Sequence, residues 1–204
     1  ILGAEAIDEF LKTKIKKKIY FFDNIDEKLI LKIKKNNIKN ILFLVISKSG
    51  NTTETLSNLF ALKIIKNKSK NIILISENKN NLLNSLSKKF NLHYINHKPN
   101  VGGRYSVLSE VGVVPMYLMG LNPYKLRKNI RSFLSGRKKI FLKENSIKLA
   151  CLLKKKKMNN LIFLNYSSNL EKFLFWCQQL IAESLGKKGL GFLPMISNMP
   201  KDHH

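Results

Sequence analysis

Apolar residues recur along the chain in two ways: as short unbroken runs, and in longer stretches where they return every three or four positions. "ILFLV" at 41–45 within 40–47 is unbroken, and "NIILISE" at 71–77 and "LHYIN" at 92–96 read as further short strands. Runs this short and this apolar suit parallel strands covered on both faces. Residues 52–67 and 80–90 take up a helical period between them. Upstream, 2–11 reads as a short helix with Leu2, Ala6, Phe10 and Leu11 on one side, and "KIYFFDN" (18–24) as a strand. "DEKLILKIKKN" (26–36) reads as a helix with Asp26 and Glu27 at its positive end and Lys34 and Lys35 at its negative end. Strand and helix alternating over short connections predict an α/β three-layer sandwich, a parallel sheet flanked by helices.

The pattern changes at "HKPNVGGRYSVLSEVGVVPMYLMGLN" (97–122). A loop with Pro99, Gly102 and Gly103 leads to a helix from about Ser106, which Pro115 should kink or interrupt. A helix over 122–136 follows, with Pro123 at its start, and then a helical stretch at 140–157. "NNLIFLNYS" (159–167) reads as a strand, 169–187 as a long helix, and "KGLGFLPMISNMPKDHH" (188–204) as a closing loop. A boundary near 120 gives two domains, 1–120 and 121–204, the second an incomplete α/β unit with one clear strand.

Composition changes this picture little. The formal charge of +24 over 204 residues raises a nucleic-acid or anionic-membrane partner. The lysines are scattered from end to end, and runs such as "KTKIKKK" (12–18) lack interleaved aromatics that could stack bases. A lysine-rich composition spread over solvated faces is the better reading, with neither nucleic acid nor membrane expected. Cys151 and Cys177 have no metal-site spacing and read as reduced thiols of a cytoplasmic protein. No segment has the apolar length to span a bilayer. The chain opens "ILGAEAIDEF" without a Met and stops at "MPKDHH", so both ends read as cut from a longer chain.

The candidate chemistry begins where the 40–47 strand meets "SKSGNTTET" (47–55). Ser47, Lys48, Ser49, Thr52 and Thr53 surround one glycine just before a helix. A small-polar turn at a helix N-terminus presents N–H groups and the positive end of the dipole to an anion, and phosphate is the natural guest. A serine-rich N-cap alone is common; the lysine and the preceding strand favour phosphate. The GxxxxGK[ST] order is absent, so this is not a magnesium–nucleotide loop.

Three other stretches stand out. "VGGRYS" (101–106) lets backbone approach a ligand and sets Arg104 near a helix start. In "WCQQLIAESLGK" (176–187), Gln179 and Glu183 are four apart, at the edge of the apolar stripe through Phe173, Cys177 and Leu180. Glu183 there can serve as a base, although an exposed helix glutamate is the plainer reading of this helix alone. The adjacent histidines of "KDHH" (201–204) lack a third ligand for a metal but offer a proton donor near neutral pH.

Taken in order, "SKSGNTTET", "VGGRYSVLSEVGVVP", "QLIAESLGKKGLGFLP" and "DHH" resemble the signature blocks of the phosphoglucose isomerase family, of the sugar-isomerase, flavodoxin-like fold. The resemblance implies reversible isomerisation of glucose 6-phosphate and fructose 6-phosphate through an enediolate, in glycolysis and gluconeogenesis. It implies that Ser47, Lys48, Ser49 and Thr52 hold the sugar phosphate and that Arg104 steadies the enediolate. Glu183 would move the proton between C1 and C2, Gln179 would contact substrate, and His204 would help open the ring. It further implies a homodimer with shared active sites, and no metal or organic cofactor. His203 departs from the family's usual Gln. The family's Gly-Ser turn before "LGA" and its C-terminal lysine are not in this sequence, so residues 1–204 by themselves are expected to be inactive. A non-catalytic sugar-phosphate-binding domain of the same fold is the alternative.

Overall fold

The computed structural model describes residues 1–155 and 158–199. In chain order the elements are α1 (Leu2–Phe10), α2 (Glu27–Lys34), β1 (Phe43–Ile46), α3 (Thr53–Leu62), β2 (Ile72–Glu77), α4 (Leu82–Phe90), β3 (His93–His97), α5 (Glu110–Leu118), α6 (Pro123–Arg127), α7 (Ile130–Phe133), α8 (Gly136–Lys154), β4 (Asn160–Asn165), α9 (Glu171–Leu185) and β5 (Leu193–Asn198). The chain divides into two units, one of Ile1 with Lys18–Pro115, the other of Leu2–Lys17 with the chain from Met116 on.

In the first unit, β1, β2 and β3 form a parallel sheet in that order. The α/β class expected from the sequence is the class observed, a three-stranded parallel sheet flanked by helices. β2 is central because its residues are apolar on both faces: Ile72, Leu74 and Ile75 have no exposed surface. Ile72 and Leu74 point to one face, where Ile33, Leu59 and Leu83 cover them. Each such side chain contributes about 1.5–3 kcal/mol by leaving water. Helix starts are chemically marked. Asp26 accepts from Leu29 N and Asn81 from Asn84 N, each satisfying a donor that the helix cannot.

Residues 18–24 are not a strand. The sheet ladders do not include them, and Tyr20 and Phe22 instead pack their rings against the core. α3 is shorter than expected. Lys63 takes a left-handed φ of 53° that ends it, and Ile64 turns into the core. The helix expected from Ser106 is a 3₁₀ segment, Gly103–Leu108, followed by α5. α5 runs through Pro115 rather than stopping there.

In the second unit, β4 and β5 pair in parallel, with α9 as the connection between them, and α1 packs on α9. β5 corrects the expectation of a closing loop after 187. Pro194 lies within it and cannot donate to a ladder. Here Leu193 N donates to Asn159 O and Met199 N to Asn165 O. Pro194 falls on the alternate positions, which face away from β4, so no ladder bond is lost. The helix expected over 122–136 is interrupted, forming α6 and then α7.

Candidate active site

The hydroxyl loop leaves the carboxyl end of β1, the end at which parallel α/β sheets bind ligands. Ser47 is its hub. Ser47 Oγ lies 2.7 Å from Thr52 Oγ1 and 3.4 Å from Ser49 Oγ, and accepts from Gly50 N at 3.1 Å and Thr52 N at 3.4 Å. Three hydroxyls therefore converge just before α3, with Thr52 as its N-cap. That is the arrangement an anion recognises: rotatable O–H donors beside the positive end of a helix. The turn needs Gly50, whose φ is +70°. The N-terminus of α4 braces the turn, Leu83 N donating to Gly50 O and Leu82 N to Asn51 Oδ1.

Lys48, expected in the phosphate clamp, has its ammonium engaged elsewhere. Its Nζ donates to Pro99 O at 3.2 Å and Val101 O at 2.9 Å, and stands 3.4 Å from Glu77 Oε1. Glu77 ends β2 and is nearly buried; Lys79 pairs with its other oxygen. That hydrogen bond from Lys79 is the chief reason the Glu77 carboxyl sits below its ordinary value of 4.5, against the upward push of burial and with Lys48 helping.

His97, at the end of β3, has no exposed surface. Its Nδ1 bonds Glu110 Oε1 at the start of α5, and its Nε2 lies 3.1 Å from Val101 O. Lys98 N also donates to Glu110 Oε1 at 3.1 Å. Burial pushes the Glu110 carboxyl up. Hydrogen bonds from its own N–H, from His97 and from Lys98 N, with the charge of His97, outweigh it and leave the carboxyl below 4.5. The segment between, Lys98–Pro99–Asn100–Val101, is a turn closed by Val101 N donating to Lys98 O. Pro99 fixes its second position. Arg104 follows in the 3₁₀ segment, half-buried, its guanidinium 4.8 Å from the centroid of the Tyr105 ring.

In the second unit, Gln179 Nε2 donates to Glu183 Oε1 at 2.8 Å across one turn of α9. Glu183 is exposed and Gln179 half-buried. Both line an open depression of about 620 Å³, together with Leu2, Lys172, Gln178 and Pro194. Gln178 Nε2 fastens α9 to β5 by donating to Pro194 O at 2.8 Å. Lys172 Nζ lies 3.3 Å from the buried Glu5, which holds α1 against the same helix. The structure thus brings Ser47, Ser49 and Thr52 together in one unit and Gln179 with Glu183 in the other. His204 lies outside the described residues.

A family model for phosphoglucose isomerase matches residues 1–190. The chain belongs to the phosphoglucose isomerase family. A glucose-6-phosphate isomerase of Methanocaldococcus jannaschii is 33% identical across 100% of this chain and 52% of its own length. A probable glucose-6-phosphate isomerase of Methanococcus maripaludis is 35% identical over 88% of this chain and 43% of its own length. The crystal structure of a hypothetical protein from Thermus thermophilus superposes with a TM-score of 0.82 at 25% identity, covering 100% of this chain and 52% of that one. The chain spans about half the length of the relatives it matches.

The sequence assigned no role to Glu77, His97 or Glu110. A signal was present. β2 and β3 each end on a titratable residue after an apolar run, at the sheet edge where the hydroxyl loop begins. In a covered parallel sheet such a residue must find a partner.

Proposed function

We propose that the protein is an aldose–ketose isomerase interconverting glucose 6-phosphate and fructose 6-phosphate. In this reading Ser47, Ser49 and Thr52 bind the phosphate, with the N-terminus of α3 behind them. Remote binding energy at that phosphate holds the sugar in register for the chemistry. Glu183 takes the proton from one of C1 and C2 and returns it to the other. Its carboxylate is presented by Gln179, which also contacts the sugar. Arg104 stabilises the charge on the enediolate oxygen by preorganised electrostatics. His204 assists ring opening and serves the site of a partner subunit in a homodimer. The enzyme works in the cytoplasm, in glycolysis and gluconeogenesis. Residues 1–120 carry the phosphate end of the site and 121–204 the base.

The observation that carries this reading is the Gln179–Glu183 pair on α9, 2.8 Å apart beside an open depression. A protein that only bound sugar phosphates would need the hydroxyl loop but no positioned base. The test is a coupled assay of fructose 6-phosphate conversion in the complete protein as its gene encodes it, with Glu183→Gln beside it. Loss of a positioned base should lower turnover about 10²-fold or more, with the melting temperature and fructose 6-phosphate affinity retained. Undiminished turnover in Glu183→Gln would reject the assignment. A protein that binds fructose 6-phosphate and never turns it over would be a binding domain of this fold.

A further inference from the structure

Lys48, Glu77 and His97 stand at the carboxyl ends of β1, β2 and β3, in sheet order. The ladder pairs Glu77 with His97, and Glu77 N donates to Lys48 O. From opposite sides of this row, Lys48 Nζ at 2.9 Å and His97 Nε2 at 3.1 Å reach the same acceptor, the Val101 carbonyl. A carbonyl has two lone pairs and can accept both. Each donor is backed by a carboxylate, Glu77 behind Lys48 and Glu110 behind His97. Both ring nitrogens of His97 face oxygens, Nδ1 that of Glu110 and Nε2 that of Val101.

Gly102 and Gly103 separate that carbonyl from Arg104 and carry no side chain that could hold them. Val101 O is therefore the last carbonyl before Arg104 that side chains of the sheet edge hold; Gly103 O accepts from Ser106 Oγ at 2.6 Å, a bond local to the 3₁₀ segment. The next bond, Tyr105 N to Gly102 O, is local to the turn. We propose that Lys48 and His97 are positioning residues: they grip the Val101 carbonyl and so fix the Gly102–Gly103–Arg104 segment against the Ser47 hydroxyl loop. The ammonium of Lys48 is then a strut between the two loops rather than a ligand of the phosphate. The proposal rests on the isomerase reading for its kinetic consequence, since Arg104 acts there on the enediolate.

A strut and a phosphate ligand leave different kinetic marks. In the complete protein, Lys48→Met should lower kcat about tenfold or more while KM for fructose 6-phosphate stays within about twofold, because a displaced Arg104 is felt only in the transition state. A raised KM with unchanged kcat would make Lys48 a phosphate ligand and overturn the proposal. At position 97 the amide of Gln reaches where Nε2 stood and that of Asn where Nδ1 stood. His97→Gln, which can keep the bond to Val101 O, should therefore keep more kcat than His97→Asn, which can keep only the bond to Glu110, although each loses one partner and melts earlier. Equal kcat losses that simply follow the melting temperatures would overturn it too. If the unaltered protein shows no isomerase turnover, the proposed function falls, and amide exchange decides the strut alone. Faster exchange at Gly102, Gly103 and Arg104 in Lys48→Met supports it, and unchanged exchange overturns it.

Discussion

Gly50 and Asn81 are packed so closely that a Cβ on residue 50 would fall 2.0 Å from Asn81 Oδ1. The same Asn81 oxygen caps α4 by accepting from Asn84 N, and its Nδ2 donates to Glu77 O at 2.8 Å. One side chain therefore ties the hydroxyl loop, the α4 cap and the end of β2. Gly50→Ala must move Asn81 and also costs about 1–2 kcal/mol for a left-handed backbone at a residue with a Cβ. The expected outcome is a clearly lower melting temperature together with weakened fructose 6-phosphate binding. A variant that melts and binds like the parent would mean that the turn tolerates a different path.

Ser47→Ala removes the hub of the loop. It takes away one hydroxyl from the anion and leaves Gly50 N and Thr52 N without their side-chain acceptor. A hydrogen bond to a charged group contributes about 1.5–3 kcal/mol, so affinity for fructose 6-phosphate should fall roughly tenfold to a hundredfold. Isothermal titration measures it. Thr53→Ala, one residue into α3 and outside the hub, should change affinity far less. Equal effects at the two positions would count against a convergent site.

The first sheet was legible because its chemistry is local. The unbroken run at 41–45 and the apolar run at 72–75 mark β1 and β2, and Asp26 caps α2 within three residues of where it stands. The hydroxyl loop was legible for the same reason, all its partners lying between Ser47 and Thr52. The strut was not. Lys48 meets Val101 across 53 positions of sequence, and His97 meets Glu110 across 13, so only the assembled sheet edge brings them together. The run at 18–24 misled for a different reason. Alternating apolar side chains pack a core as well from an irregular segment as from a strand, and pairing is a property of the neighbour. β5 was read as a closing loop because what makes 193–198 a strand is its pairing with β4, which only the folded chain supplies.

The two carboxylates of the network predict how stability follows pH. Glu77 and Glu110 both sit below their ordinary value of 4.5 in the folded protein. The unfolded chain therefore binds more protons than the folded one as pH falls through that value. Their stabilising contribution is present in full above about pH 5 and is lost as pH drops through the lowered folded values. Melting temperatures should be flat near neutrality and fall steeply below 4.5. Glu110→Gln should melt earlier than the parent at neutral pH, with the two curves converging in acid. Parallel curves down the acid limb would remove Glu110 from the linkage.

Glu183→Asp separates the position of the base from its presence. The carboxylate and its charge remain, but one methylene is lost, so the oxygen that now meets Gln179 Nε2 at 2.8 Å is withdrawn toward the helix. Glu183 is exposed on α9, so its shortening opens no cavity and the fold should be undisturbed. A shift of about 1 Å at a reacting group can cost about 10²-fold, so kcat for fructose 6-phosphate should fall by that order while KM changes little. In the proposed reading the phosphate is held by Ser47, Ser49 and Thr52, which is why affinity should survive. Solvent-proton exchange into C1 and C2 of the sugar gives the second readout. It should slow in proportion to isomerisation if Glu183 carries the proton. Exchange at the parental rate with slowed isomerisation would assign the proton transfer to another group and leave Glu183 a part in binding alone.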